Sequence, residues 1–386
     1  MSPSKSSHSP PLGATIHQLK IKPIFDALEK REKYYAHYLA RAAWHGSRII
    51  MRQVSPESPD IFDFIMDLYH ACDGKWDTLV AQCNITLEEL ASFLEYAAMF
   101  LCNLGNFYVS QEANSIHDAN CDQGEGNQKF VPEVTTEFLK KIADISPKTK
   151  ASLNKVIGPL LAVPPFSLGY PGKNAQSGYC PGNELITKDE IAEVSKVMNR
   201  KSIGPENTRV QKVIRDGKRV LYLSQASAEI TPLKDGQDEL ADDIFFVRGD
   251  HSQELEKVCS ALEKAKEFAG NDKQTQFLTH YIECFRTGSL EAFQESQKIW
   301  VTDVSARVEN ILGFIEPYRD PAGIRSEWEA MIGIADADEI KRLKSFVGHS
   351  TTFIRQLPWA VEGMNDGKGP FEKSLFEAPD FTSVHG

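Results

Sequence analysis

Long apolar runs, an excess of basic residues and closely spaced cysteine pairs are all missing from this sequence. No apolar stretch reaches the ~18 residues of a membrane-spanning helix, so no membrane partner is expected. Acidic residues outnumber basic ones, 54 to 43, for a formal net charge of −11. A nucleic-acid partner, whose phosphates need a basic stripe, is not expected either. The seven cysteines are odd in number and scattered, with no Cys-x-x-Cys pair. Neither a zinc ribbon nor a thioredoxin-like redox centre is thereby indicated, and buried or half-buried reduced thiols are expected. The first residues show no apolar h-region and no arginine before Arg31. Neither a secretory signal nor a mitochondrial presequence is expected, and a cytoplasmic address is.

The common catalytic signatures are missing too. None of the ten histidines is followed by glutamate, so no zincin motif, with two imidazoles on one helical face, can form. His37 and His45 are too far apart for a single-turn chelate. No G-x-S-x-G elbow, phosphate-binding P-loop or G-x-G-x-x-G turn is found. Gly249-Asp250-His251-Ser252 precedes a helix, where an anion site is conceivable, but a simple cap by Asp250 or Ser252 is the stronger expectation.

What remains is an ordinary globular composition, 41% hydrophobic and 25% charged, which excludes collagen-like and wholly disordered classes. The 386 residues suffice for about two to three domains. Residues 1–14 form a Ser/Pro-rich stretch, expected to be a disordered tail. Thr86-Leu87-Glu88-Glu89 and Thr187-Lys188-Asp189-Glu190 read as capping boxes that open helices, the first running on to Gly105. Arg215-Asp216-Gly217-Lys218 sits between β-rich segments and predicts a hairpin, with a further strand over 243–247. Helices are expected over 252–268, 273–285, 290–300 and 338–356, and two strands over 308–315 and 325–334. Helices interleaved with non-alternating strands predict an α+β fold.

The most informative stretch runs from Gly313 to Arg325. If Glu316 and Tyr318 lie on extended chain, their two-residue spacing puts both on one face. A carboxylate beside a phenol suits an ammonium group and a developing oxyanion. Pro317 cannot donate to a ladder, so the segment is expected at a sheet edge or strand end. A strand that ends in an Arg-Asp-Pro turn with a surface Tyr and Glu fits the same spacing.

Gly-Phe-Ile-Glu-Pro-Tyr-Arg-Asp-Pro-Ala-Gly-Ile-Arg-Ser-Glu-Trp-Glu at 313–329 closely resembles a stretch characteristic of the dipeptidyl peptidase III family. So does His45-Gly46-Ser47-Arg48-Ile49-Ile50-Met51-Arg52-Gln53-Val54-Ser55-Pro56-Glu57-Ser58. Shorter matches at 104–107, 129–132, 205–209, 249–252 and 379–383 follow in family order. The resemblance implies a cytosolic zinc exopeptidase that removes N-terminal dipeptides from short peptides with a free N-terminus, and a monomer is expected. It implies a two-lobed fold: a β-barrel core with surrounding helices in the N-terminal lobe (15–336), the start of a mainly helical zinc lobe (337–374), and a return to the first lobe (375–386). By the same resemblance Glu316 receives the peptide's α-ammonium and Tyr318 stabilises the tetrahedral intermediate. Arg319 and Asp320 match the motif as structural residues, a turn and its salt-bridge partner.

Two departures stand beside these matches. The family's His-Glu-x-x-Gly-His motif lies beyond the region matched, so this chain is expected to bind no catalytic zinc and to be inactive as printed, although the full-length family needs zinc. The alternative is a non-catalytic peptide-binding or interaction protein. A polar insertion between Phe107 and Lys129 reads either as unspliced sequence or as a surface loop; its His117 and Cys121 carry little weight as ligands.

Overall fold

The computed structural model describes residues 8–10, 21–109, 127–230, 239–241, 243–303, 306–368 and 384–385. The insertion with His117 and Cys121, and most of the Ser/Pro-rich tail, lie outside the described residues. Residues 8–10 of that tail are placed: Val131 donates its N–H to the His8 carbonyl at 2.9 Å.

Both capping boxes form. Thr86 accepts from the Glu89 N–H at 3.1 Å while Glu89 accepts from the Thr86 N–H at 2.9 Å, opening the helix Leu87–Asn103. Thr187 and Glu190 do the same for Lys188–Lys201. Each box satisfies donors that the first helical turn leaves orphaned. The first helix is stopped by Leu104 in the left-handed region, not by Gly105. Gly105 serves a close approach instead, since a Cβ there would lie 2.4 Å from Val54.

The hairpin also forms, from strands Thr208–Arg215 and Lys218–Ala226. Asp216 and Gly217 both take positive φ, 49° and 73°, the geometry that matches strand twist in a two-residue loop. The strand Ile244–Asp250 adds in parallel to Lys218–Ala226. A second sheet pairs Val308–Phe314 antiparallel with Trp328–Ala335, which then pairs with Val384–His385. Short strands at 107–109, 127–129, 167–168 and 175–176 make a third.

The expected β-barrel core is corrected by this topology. Each of the three sheets has a linear strand order with two free ends, and closure requires every strand to have two partners. The described residues show a mixed α and β fold of helices packed on small open sheets. One core joins the helices Lys30–His45, Ser252–Lys266 and Asp272–Thr287 to the 308–335 hairpin. A second lies among Ser58–Ala71, Leu87–Asn103, Thr136–Ala143 and Pro147–Leu161. The third fastens Lys188–Lys201 to the 208–226 hairpin. Among the described residues no helix is long and apolar enough to cross a membrane. The six described cysteines are free; Cys102 is exposed, where a buried or half-buried thiol was expected.

Candidate functional site

The strand Val308–Phe314 ends as Phe314 comes opposite Trp328, yet the ladder runs two residues further. Ile315 donates its N–H to the Glu327 carbonyl at 2.9 Å, and Glu327 donates to the Glu316 carbonyl at 2.9 Å. Pro317, with no N–H, follows at the point where pairing stops. Glu316, Pro317 and Tyr318 are exposed, Tyr318 by 67%. The Tyr318 hydroxyl donates to the Glu316 carboxylate. The Tyr318 N–H donates to the Glu316 carbonyl at 3.1 Å, so a tight turn about Pro317, and not the expected extended spacing, brings carboxylate and phenol together at an open surface just past a strand end.

The turn beneath them is held by buried charge. Arg319 donates to Glu327 at 2.7 Å. The Asp320 carboxylate accepts from the Ile324 and Arg325 N–H groups at 3.0 and 2.9 Å. Arg325 is 0% exposed, with its guanidinium 3.6 Å from Asp320. Gly323 closes the turn with φ 66°, a left-handed position suited to glycine. Arg319 and Asp320 therefore pair with Glu327 and Arg325, and not with each other.

Two further carboxylates stand close by. Burial pushes Glu327 above the ordinary carboxylate range despite the charge of Arg319. Burial also raises Glu329, and the Glu316 charge adds to it. Sequence reasoning did not single out this pair. Their alternation about Trp328 was the available signal, because residues two apart on a strand share a face. Arg319, Glu327 and Glu329 border an apolar groove of about 970 Å³ between the helix Lys30–His45 and the strand Trp328–Ala335, floored by Ala43, Trp328 and Ile332. A carboxylate-rich rim over apolar walls is suited to an ammonium group carried by a partly apolar molecule.

Asp250 and His251 do something other than cap. Asp250 accepts from Arg209 Nε at 2.7 Å. Arg52 lies 3.1 Å from Glu254 and 3.0 Å from His251 Nδ1. His251 occupies the N-cap of Ser252–Lys266 with left-handed φ and no side-chain cap bond. The expected cap by Asp250 or Ser252 is thus corrected: the Asp250 carboxylate is engaged by Arg209. Burial pushes the pKa of His251 down to about 3, against the pull of Asp250 and with the help of Arg209 and Arg52. The cluster ties the helix Ser47–Val54 to the strands Thr208–Arg215 and Ile244–Asp250 and the helix Ser252–Lys266.

Among the described residues, no group of three or more His, Cys, Asp or Glu is placed to hold a metal ion.

The sequence profile described as peptidase family M49 matches residues 152–386. The chain is 33% identical over 384 residues to dipeptidyl peptidase 3 of Dictyostelium discoideum, a match covering 98% of this chain and 51% of that relative. It is 30% identical over 395 residues to dipeptidyl peptidase 3 of Homo sapiens, covering 96% and 49%. A solved structure of DPP III from Caldithrix abyssi aligns at 19% identity and TM-score 0.46, over 86% of this chain and 44% of that one. The chain spans about half the length of the curated relatives it matches. With more than half of its residues inside that profile, the chain belongs to peptidase family M49, a family of metallopeptidases.

Proposed function

We propose that these residues form the wall of a dipeptidyl peptidase that holds the amino end of a short peptide. Glu316 accepts the free α-ammonium, and Tyr318 supplies a hydroxyl to the oxyanion of the tetrahedral intermediate. Arg319 and Asp320 keep the turn in place through Glu327 and Arg325. The observation that carries this reading is the contact of the Tyr318 hydroxyl with the Glu316 carboxylate at an open surface. An exposed carboxylate meets an incoming ammonium without a buried partner to displace, and charge-assisted hydrogen bonds are the strong ones. In the same reading, 15–336 is one lobe, 337–374 opens a second, helical one, and 375–386 returns to the first. A cytosolic address accords with free thiols.

The zinc implied by the metallopeptidase family does not fit the residues in hand. The sequence holds no His-Glu pair, and the described residues offer no ligand cluster. What these side chains do by themselves is bind and orient. The exposed Glu316 carboxylate beside Tyr318 serves equally a second reading, a peptide-binding protein that does not cleave.

Fluorescence anisotropy of a labelled tetrapeptide tests the binding role. The free-amine peptide is expected to bind, and its N-acetylated form to bind at least tenfold more weakly. Glu316→Gln is expected to remove that preference, at a loss of about 1.5–3 kcal/mol typical of a charged hydrogen bond. Tyr318→Phe is expected to leave affinity within about twofold, because the oxyanion forms only during reaction. Equal affinity for free and acetylated peptide would sink the assignment.

A further inference from the structure

Gln53 sits on the helix Ser47–Val54, 2% exposed, at the side of the hairpin turned away from Val308–Phe314. Its carboxamide makes two bonds to the backbone there. Nε2 donates to the Ser326 carbonyl at 2.9 Å, and Oε1 accepts the Trp328 N–H at 2.8 Å. A donor and an acceptor aimed at residues two apart reproduce what a neighbouring strand presents to an edge. Glu327, between the two bonded residues, faces the opposite way. Its N–H reaches the Glu316 carbonyl and its carbonyl accepts from Ile315, while its carboxylate takes Arg319. Ser326 also donates its N–H to the Glu206 carbonyl at 2.8 Å, so the backbone directly across from Glu316 is held from behind by the Gln53 side chain together with the Glu206 carbonyl.

The clamp itself is immobilised. A Cβ on Gly178 would lie 2.3 Å from the Gln53 carbonyl, so the 178 backbone is pressed against the backbone of Gln53. Arg52, the residue before it, is fixed by Glu254.

We propose that Gln53 is a positioning residue for Glu316: its carboxamide substitutes for a missing strand, fixes Ser326–Glu327–Trp328, and through Glu327 sets where the Glu316 carboxylate stands. This rests on the reading of Glu316 as the ammonium acceptor. No shorter side chain spans both bonds, and no apolar one makes either. Removing them leaves a buried N–H and a buried carbonyl unpaired, so the segment shifts to find other partners.

The experiment compares the polypeptide with Gln53→Met, which is close in volume but makes neither bond. Val156→Ala serves as a destabilised control in the separate helical core. Two quantities are read in each: affinity for the free-amine tetrapeptide, and hydrogen exchange at the Glu327 amide. Gln53→Met is expected to weaken binding at least tenfold and to speed Glu327 exchange at least tenfold. Val156→Ala, and the 208–226 hairpin amides in all variants, should change neither quantity by more than about twofold. If Gln53→Met does not fold, Gln53→Glu, which keeps the acceptor for Trp328 and loses the donor to Ser326, is expected to speed Glu327 exchange in the same way. Unchanged Glu327 exchange overturns the clamp. Fast exchange with unaltered affinity overturns the positioning role while leaving Glu316 as the acceptor. If the unsubstituted protein binds no free-amine peptide, both the acceptor reading and this role fall, even where the exchange result holds.

Discussion

Asp320 closes the turn below Glu316 with one carboxylate that serves three groups. It accepts two backbone N–H bonds and stands beside the fully buried Arg325 guanidinium. Arg325 is less well served, because its three guanidinium nitrogens have no hydrogen-bond partner among the described residues. The two partners should therefore respond unequally to removal. Asp320→Ala leaves a buried cation uncompensated, and urea unfolding is expected to show a loss of about 3–5 kcal/mol. Arg325→Met leaves Asp320 with its two amide donors and removes a poorly satisfied buried charge, so less than half that loss is expected. Equal losses would mean that the turn is held by the ion pair rather than by the backbone bonds of Asp320. The Asp-Pro turn was legible in the sequence; Glu316 and Tyr318 meet as well, but across a turn about Pro317 and not on the extended face expected of them. That Arg319 turns to Glu327 and Asp320 to Arg325 was not, because partners five and eight residues apart depend on how the turn folds.

Among elements, the Arg52, Arg209, Asp250, His251 and Glu254 cluster joins the helix Ser47–Val54 and the strand Thr208–Arg215 to the strand Ile244–Asp250 and the helix that follows it, pieces far apart in the sequence. Its pH response follows from burial. His251 has a folded pKa of about 3, below its ordinary 6.5. Between those values the unfolded chain takes up a proton that the folded chain refuses. Stability is therefore lost as pH falls from 6.5 towards 3, by up to about 1.4 kcal/mol per pH unit, and levels off below. Glu254 acts in the same sense at lower pH: burial raises it, but Arg52 and its hydrogen bonds outweigh burial and hold it below the usual range. Urea midpoints at pH 7, 6 and 5 should fall steadily in the unsubstituted protein and stay flatter in His251→Gln. Parallel slopes in the two would remove His251 as the cause. At this scale the capping boxes and the Asp-Gly hairpin were readable in advance, since each is decided by residues within one turn. The Asp250 cap failed because a tertiary partner, Arg209, competes for the same carboxylate.

For the molecule as a whole, the proposed amino-end wall is expected to bind peptide whether or not this polypeptide cleaves it. The purified 386-residue polypeptide, supplied with zinc, is expected to retain less than one equivalent after desalting and to release no dipeptides from a short peptide. Metal analysis and mass spectrometry of the products check this together. Stoichiometric zinc with dipeptide release would show that a ligand set forms in this chain after all. The helical character and the paired 308–335 strands were expected from periodicity, whereas a closed barrel was not found. Strand patterns show which residues can pair, but the number of partners each strand finds depends on every other strand.

The sequence alone determined the local geometry: capping boxes where a hydroxyl and a carboxylate lie three apart, and a tight hairpin where Asp-Gly admits positive φ. Its family motifs determined the kinship. Only the tertiary structure decided what stands behind the site, because Gln53 meets Ser326 and Trp328 across more than 270 residues of chain. A bond that spans such a distance has no local signature, and it exists only once the intervening helices and sheets have packed.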